Sequence, residues 1–226
     1  MSDEGHRARD PEATRAAVLD AAERLFAANG FAATSIREVS TASGVSHPLI
    51  HHHFGSKEDL YQAVKRRLVE GYARRFPESA RAANRPIRVR PEMRRIMAYL
   101  SDNAMLLRLC ARTRLEGDVG VWPGEPDLLD TLRRRLEVSR RRGLIREDVD
   151  PAALSIMVLG LVAFWLENRD HWEARFGSAV DDATYLEQAI ALVEHGLAPG
   201  PRLDPDDEDE VVVPAGPDRE SGPGPG

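Results

Sequence analysis

Cysteine is almost absent from this sequence, since Cys110 is the only one among 226 residues. A single thiol excludes an intramolecular disulfide and a thiolate metal cluster, and it suits the reducing cytosol. Long apolar runs are also missing: the longest, residues 152–166, has about fifteen residues, against roughly 20 for a membrane span. The N-terminal residues contain no apolar segment of the signal-peptide type. We therefore expect a cytoplasmic protein with no membrane partner.

Common catalytic motifs are lacking as well. The sequence contains no H-E-x-x-H zinc motif, no G-x-S-x-G nucleophile elbow and no glycine-rich phosphate loop after a strand. Acidic residues do not pair with histidines at the spacing of metal ligands. We predict a protein that is not an enzyme, with no catalytic residue, no metal site and no cofactor.

The excess of acidic charge is confined to the C-terminal residues. Residues 199–226 contain eight acidic residues and two arginines, so their net charge of −6 equals that of the whole chain. The rest of the chain is therefore formally neutral. Because nucleic-acid binding depends on a local basic face, the acidic total does not argue against it.

Apolar residues recur at helical spacing through most of the chain, and no convincing alternating strand pattern is present. The sequence predicts an all-α fold. We assign residues 1–11 to a disordered arm, 12–58 to a three-helix domain, 59–198 to a larger helical domain and 199–226 to a disordered acidic tail rich in proline and glycine. Helices are expected at residues 13–29, 36–42, 47–54, 57–76, 92–102, 104–116, 127–142, 151–175 and 182–197.

The most informative stretch is residues 34–60. Gly44 tolerates the positive φ that a sharp turn between two short helices needs. Ser35 and Glu38 have the S-x-x-E spacing of a capping box before this turn, and Ser46 is placed as the N-cap after it. Two helices joined in this way are typical of the helix-turn-helix, whose second helix enters the major groove of DNA.

The region from residue 18 to residue 60 resembles the DNA-binding domain of the TetR family of transcriptional regulators. The resemblance rests on AAERLF at 21–26, Gly30-Phe31, Thr34-Ser35, Ser43-Gly44-Val45-Ser46, His53-Phe54, and Ser56-Lys57-Glu58 with Leu60. Two positions depart from the family pattern: His51 stands where a tyrosine is usual, and Pro48 where a glycine or small residue is frequent. The resemblance implies a helical ligand-binding domain and a homodimer formed by the last two long helices of each chain.

The recognition helix would present its histidines to DNA. His47 and His51 share one face at i, i+4 spacing and His52 lies beside them, whereas Ile50 and Phe54 turn toward the core. Imidazoles can donate to phosphates or base edges, and an exposed leucine can touch a thymine methyl. With the polar start of the preceding helix, the predicted DNA-binding residues are Thr34, Ser35, Arg37, Ser46, His47, Leu49, His51, His52 and Lys57.

Other roles for the same histidines remain open at this stage. They could be ordinary surface residues, with His53 half-buried and structural. His47 and His51 could also bind a metal, although no third ligand or carboxylate lies nearby on the helix. The alternative to a DNA-binding regulator is therefore a helical metal-binding sensor or an enzyme that uses the cluster from His47 to His53.

The second domain is expected to bind an effector and to form the dimer. The interior contains few polar residues, which favours an apolar or aromatic small molecule, although ordinary core packing is the better explanation of each residue taken singly. Trp172 and Arg175 could supply a polar end together with His171. The candidate pocket residues are Met93, Met97, Leu100, Met105, Leu109, Trp122, Met157, Leu161, Trp165 and His171. The candidate dimer residues are Leu154, Val158, Val162, Leu186, Ile190 and Val193.

These observations together predict a TetR-like regulator. We expect it to be a repressor that binds a palindromic operator in double-stranded DNA as a homodimer and is released by a small effector. A DNA-binding regulator with no small-molecule ligand is a further alternative, because the pocket is implied by the resemblance.

Overall fold

The computed structural model describes residues 10–118, 120–177 and 180–198. Of the expected N-terminal arm only residues 10 and 11 are among them, and the expected acidic tail lies wholly outside them. The described chain contains helices and no strand. In order, the helices are α1 (Pro11–Ala33), α2 (Ile36–Ser43), α3 (His47–Phe54), α4 (Lys57–Arg75), α5 (Pro77–Arg81), α6 (Val89–Asp102), α7 (Ala104–Leu115), α8 (Glu125–Arg141), α9 (Pro151–Phe176) and α10 (Asp182–Leu197).

Side-chain caps mark the start of five of the ten described helices. Asp10 accepts from the Glu12 N–H at the start of α1, and Asp150 accepts from the Ala153 N–H at the start of α9. Gly30 has a φ of +84° and breaks α1 where the sequence predicts its end, but one further turn continues to Ala33. The break directs the chain into the helix-turn-helix.

The N-terminal core extends beyond the first three helices. Val18, Phe26, Val39 and Ile50 are buried together with residues of α4. Leu109 of α7 joins the same cluster, as does Trp122 from the loop that follows. This loop and α7 therefore belong to the packing of the N-terminal domain, because α7 lies along α1.

A second core lies among α6, α8, α9 and α10. Met93 and Met97 of α6, Leu136 of α8 and Ile190 of α10 pack there against α9. The middle helix, α4, connects the two cores: its first half is buried in the N-terminal core, and Tyr72 near its end packs against the second. A movement of α4 would therefore change the packing of both cores.

Helix α9 carries apolar residues on both its buried and its exposed side. One row, Leu154, Val158, Val162 and Trp165, is buried against neighbouring helices. Length and composition alone would also let α9 cross a membrane, the only helix of the described chain for which this is so. Burial of one complete row is what a core helix needs, whereas a second apolar face on the outside calls for a separate explanation.

Candidate nucleic-acid interface

The turn between α2 and α3 has the geometry that the sequence predicts. Gly44 has a φ of +65°. The Ser35 hydroxyl accepts from the Glu38 N–H at 3.2 Å, while the Glu38 carboxylate accepts from the Ser35 N–H at 2.7 Å, which completes the capping box. These bonds hold the pKa of Glu38 below its usual range, so the carboxylate stays charged. Ser46 occupies the N-cap of α3, but its side chain makes no capping hydrogen bond.

One face of helix α3 is buried in the N-terminal core, and the opposite face is exposed to solvent. Ile50 is 1% exposed and Phe54 9%, and both are part of the N-terminal core. His47, His51 and His52 are exposed, as is Leu49 at 37%. His53 is half-buried beside Phe54. The buried pair fixes the rotation of the helix, so that the predicted contact residues face solvent.

Two predicted DNA contacts have structural partners inside the protein. Thr34 is 2% exposed, and its hydroxyl donates to the carbonyl of Gly30 at 2.8 Å. The side chain of Thr34 is therefore withdrawn as a phosphate contact: it joins the α1 break to α2. Lys57 is half-buried, with its Nζ 3.4 Å from the Ala32 carbonyl and 4.3 Å from the centre of the Phe31 ring. The Lys57 ammonium can still contact a phosphate, but it already contacts the Ala32 carbonyl and the Phe31 ring.

The remaining predicted contacts collect at one end of the molecule. Ser35 and Arg37 are exposed at the start of α2, and Ser46 is exposed at the start of α3. The free N–H groups of these helix starts can bind phosphates alongside the side chains. Together with the outward face of α3, they form a polar surface of the kind that positions a protein on a DNA backbone.

A metal site at the histidines has no support from the geometry. The His47 and His51 rings lie 6.2 Å apart between centroids. Among the residues that the structure describes, no three His, Cys, Asp or Glu side chains come together as candidate ligands. A structural or catalytic metal centre needs at least three protein ligands.

Two residues at the end of α7 and directly after it bind the N-terminal domain, a role that sequence reasoning missed. The Glu116 carboxylate accepts from the Phe31 N–H at 3.0 Å, and Arg112 donates to the Ala28 carbonyl at 2.7 Å. Both bonds fall at the break in α1. No local motif marks these contacts, because the partners are more than 80 residues apart. The break is thus supported from the second domain.

An apolar cavity of about 150 Å³ lies between α4, α6 and α8. Tyr72 and Glu92 meet at its edge, where the tyrosine hydroxyl donates to the carboxylate at 2.6 Å. Arg135 and Arg95 also donate to Glu92, each at 3.1 Å, so the buried carboxylate is fully engaged. The walls are otherwise hydrocarbon, formed by Leu68, Val69, Ile96, Tyr99, Leu100, Leu106, Leu128, Leu129, Leu132 and Leu159.

The candidate pocket residues fall mostly outside this cavity. Leu100 alone among them lines it. Met93, Met97 and Trp165 are buried in the second core and do not line this cavity. Met105, Leu109 and Trp122 belong to the N-terminal core. Met157 and Leu161 lie on the outer face of α9. His171 is exposed near the end of α9.

The candidate dimer residues also need correction. Leu154, Val158, Val162 and Ile190 are buried within the single chain, and Leu186 is half-buried against the same core. Leu154 and Val193 also line an outer groove. Because α9 is apolar on nearly all sides, its periodicity cannot show which face turns inward. The large apolar residues exposed on α9 and α10 are Ile156, Met157, Phe164, Phe176 and Leu192.

A helix-turn-helix with an outward recognition helix, continued by a helical second domain, defines the class: a DNA-binding regulator of the helix-turn-helix type. Residues 18–64 match the sequence model described as bacterial regulatory proteins, tetR family. By this match and by its named relatives, the chain is similar to the TetR family of transcriptional regulators.

Named relatives agree with this assignment. The HTH-type transcriptional repressor NicS of Pseudomonas putida is 25% identical over 177 residues, which cover 73% of this chain and 81% of NicS. The HTH-type transcriptional repressor Rv3405c of Mycobacterium tuberculosis is 51% identical over 53 residues, 24% of this chain and 28% of that protein. The structure of GusR from Salmonella enterica has a TM-score of 0.60 at 21% identity and covers 87% of this chain and 99% of GusR. Regulation of transcription is therefore favoured over a metal sensor or an enzyme.

Proposed function

We propose that this protein is a cytoplasmic repressor that binds a palindromic operator as a symmetric dimer and leaves it when a small effector fills the cavity. The observation that carries the proposal is the anchoring of α3. Ile50 and Phe54 are buried, while His47, His51 and His52 are exposed on the same short helix. A helix held in this way can lie in a major groove without losing its own core.

Selection of DNA fragments from the source genome tests operator binding. The expected product is a site with two similar half-sites about one helical turn apart, because each head of a two-fold dimer reads one of them. Arg37→Ala should weaken binding to all sequences and reduce its salt dependence, since it removes a charge beside phosphates. Arg81→Ala, an exposed arginine of α5, is the matched control. A folded protein that enriches no fragment would refute the proposal.

The dimer would form through α9 and α10. Met157, Phe164 and Leu192 are 61%, 53% and 70% exposed, and they line a groove of about 760 Å³ together with Val193. A second copy is the occupant that fits, because two half-sites require two-fold symmetry and such an interface uses the same patch on both chains. Apolar side chains gathered on one face also favour association.

Sedimentation equilibrium tests the dimer. Phe164→Glu places a charge in the groove and should shift the chain toward the monomer. Leu115→Glu is the matched control, since Leu115 is 80% exposed on α7, outside the groove. A wild-type chain that sediments as a monomer at micromolar concentration would remove the dimer from the proposal.

The cavity between α4, α6 and α8 is the proposed effector site. Its volume of about 150 Å³ is close to that of an engineered apolar cavity that binds benzene, so a single ring or a short alkyl chain fits without rearrangement. The wall is hydrocarbon, and Glu92 is engaged by Tyr72 and two arginines. An uncharged molecule therefore suits the site better than an ion.

Release from DNA would follow from linkage between the two sites. Leu68, Val69 and Tyr72 of the cavity wall belong to α4, whose other end enters the N-terminal core. An effector that prefers a shifted α4 lowers DNA affinity by its differential binding free energy, and DNA lowers effector affinity equally.

Operator release by benzene and toluene, as probes, tests the effector site. Leu132→Phe fills the cavity and should abolish the response while DNA binding persists. Leu144→Phe is the matched control, because Leu144 is 52% exposed and lies outside the cavity. A response that is equal in both variants would place the effector elsewhere. No response to any small apolar molecule would favour a regulator without a ligand.

A further inference from the structure

The recognition helix carries no permanent positive charge. Its sequence, HPLIHHHF, has four histidines and neither lysine nor arginine. Over residues 34–60 there are two basic residues against three acidic ones, so the segment has a formal charge of −1 while its histidines are neutral. Since most DNA affinity comes from cations placed near phosphates, a neutral α3 would contribute little of it.

Charged groups around α3 are largely engaged within the protein. Glu38 and Asp59 are bound in the capping boxes of α2 and α4. Arg15 stacks over the Phe54 ring at 5.0 Å, and Lys57 stacks over an aromatic ring of α1. Three helices of the described chain pack against α3, namely α1, α2 and α4. Their charged residues on this side are Glu12 and Arg15 of α1, Arg37 and Glu38 of α2, and Lys57, Glu58 and Asp59 of α4.

The outward imidazoles are open to a ligand. His47 and His51 contact each other at 6.2 Å between ring centroids, and His52 contacts His53 at 5.7 Å. Within the described part of the chain, no hydrogen bond or ion pair engages the rings of His47, His51 or His52. Among the described residues, these rings can therefore take up a proton without breaking a hydrogen bond or an ion pair.

We infer that operator binding by this protein takes up protons at His47, His51 and His52, so that mildly acidic conditions strengthen it. The inference rests on the proposed function, because it takes α3 as the helix that meets DNA. An imidazole ordinarily has a pKa of about 6.5, and a phosphate within hydrogen-bond reach favours its charged form. The pKa of such a group is higher in the complex than in the free protein.

The sign of the effect follows from linkage. The added affinity is fully present below the pKa of the free protein and is lost as the pH rises through the pKa of the complex. A histidine whose pKa rises by about one unit on binding strengthens binding about 6-fold between about pH 8 and about pH 6. Three such histidines in one head would give more than about 100-fold.

The test uses the full chain and a duplex that the protein selects from a random-sequence library at about pH 7. Affinity is measured by fluorescence anisotropy from about pH 8 to about pH 6 at constant ionic strength. Wild type should bind more tightly at lower pH and show a steeper salt dependence there, by about 0.9 in log–log slope for each additional phosphate that a protonated histidine neutralises. H47N, H51N and H52N retain polar side chains that cannot become cations.

Loss of the pH dependence in the triple variant H47N/H51N/H52N, with H53N retaining it, is the expected result. His53 is the matched control because it lies on the same helix but is half-buried. An equal pH dependence in wild type and the triple variant, or none in wild type while DNA binds well, overturns the inference and leaves the proposed function standing. A folded chain that binds no duplex at any pH overturns both.

Discussion

Lys65 and Asp118 form a buried ion pair whose two members differ sharply in their access to water. The Lys65 ammonium lies 2.5 Å from the Asp118 carboxylate, with side-chain exposures of 2% and 35% respectively. The ammonium also faces the rings of Tyr61 at 4.4 Å and Trp122 at 5.5 Å. Removal of Asp118 leaves a buried ammonium, whereas removal of Lys65 leaves a carboxylate that water can reach. The two substitutions should therefore lower the free energy of unfolding by different amounts.

Asp118→Ala should be the costly change. It leaves a buried ammonium without its carboxylate partner, beside the rings of Tyr61 and Trp122, and breaking a fully buried pair costs about 3–5 kcal/mol. Because Asp118 is partly exposed, water can reach the vacated space, and we expect about 2–3 kcal/mol, or roughly 5–10 °C in Tm. Lys65→Met keeps a stem of similar length and its aromatic contacts, and leaves a carboxylate that water can solvate. Its cost should stay below about 1 kcal/mol.

Urea unfolding of the full chain, followed by circular dichroism near pH 7, measures both changes. The double variant K65M/D118A should be about as stable as K65M, because no buried charge remains. The bond from Lys65 holds the pKa of Asp118 below its usual range, so the stability from the pair is present above about pH 4 and is lost as the pH falls through the folded-state pKa. Equal losses in the two single variants, or a larger loss in K65M, would refute the reasoning.

Three further predictions concern single side chains. Thr34→Val removes hydroxyl bonds to the carbonyls of Gly30 at 2.8 Å and Leu25 at 3.3 Å, so it should cost about 1–2 kcal/mol in urea unfolding while the salt dependence of DNA binding stays unchanged. A shallower salt dependence would return Thr34 to the phosphate contacts. Gly44→Ala should cost about 1–2 kcal/mol through its φ of +65° alone, since the space around a new Cβ is open; no loss of stability would contradict this. Burial raises the pKa of the Cys110 thiol to about 11, so its reaction with a disulfide reagent near neutral pH should be about 100-fold slower than that of an exposed cysteine, and rapid labelling of the folded chain would contradict its burial.

The helix-turn-helix could be predicted almost to the residue because its signals are local. Ser35, Glu38 and Gly44 set a cap and a turn within ten positions, and α2 and α3 fall at Ile36–Ser43 and His47–Phe54 against expected ranges of 36–42 and 47–54. The burial of Ile50 and Phe54 follows from their spacing. Caps and short-range periodicity do not depend on how the rest of the chain packs.

The second domain was harder to predict because contacts between helices distant in sequence determine which residues are buried. Met93 and Met97 are apolar and helical, like the residues that line the cavity, yet they are buried in the second core and do not line it. On α9, residues 154, 158 and 162 and the exposed residues 156, 157 and 164 are equally apolar. Sequence periodicity identifies an apolar stripe, but where a helix has several, only its neighbours decide which one is buried.

Gly30 and Glu116 are in close contact, so a substitution at either position affects the other. A Cβ at position 30 would stand 1.6 Å from Glu116 Oε1, so any larger residue there displaces the carboxylate from the Phe31 N–H, in addition to straining a φ of +84°. Conversely, shortening Glu116 opens space at the helix break but leaves that N–H to find water. An engineer who exchanged the N-terminal domain for that of another regulator would have to transplant this carboxylate with it, since the graft boundary suggested by the sequence cuts through the joint.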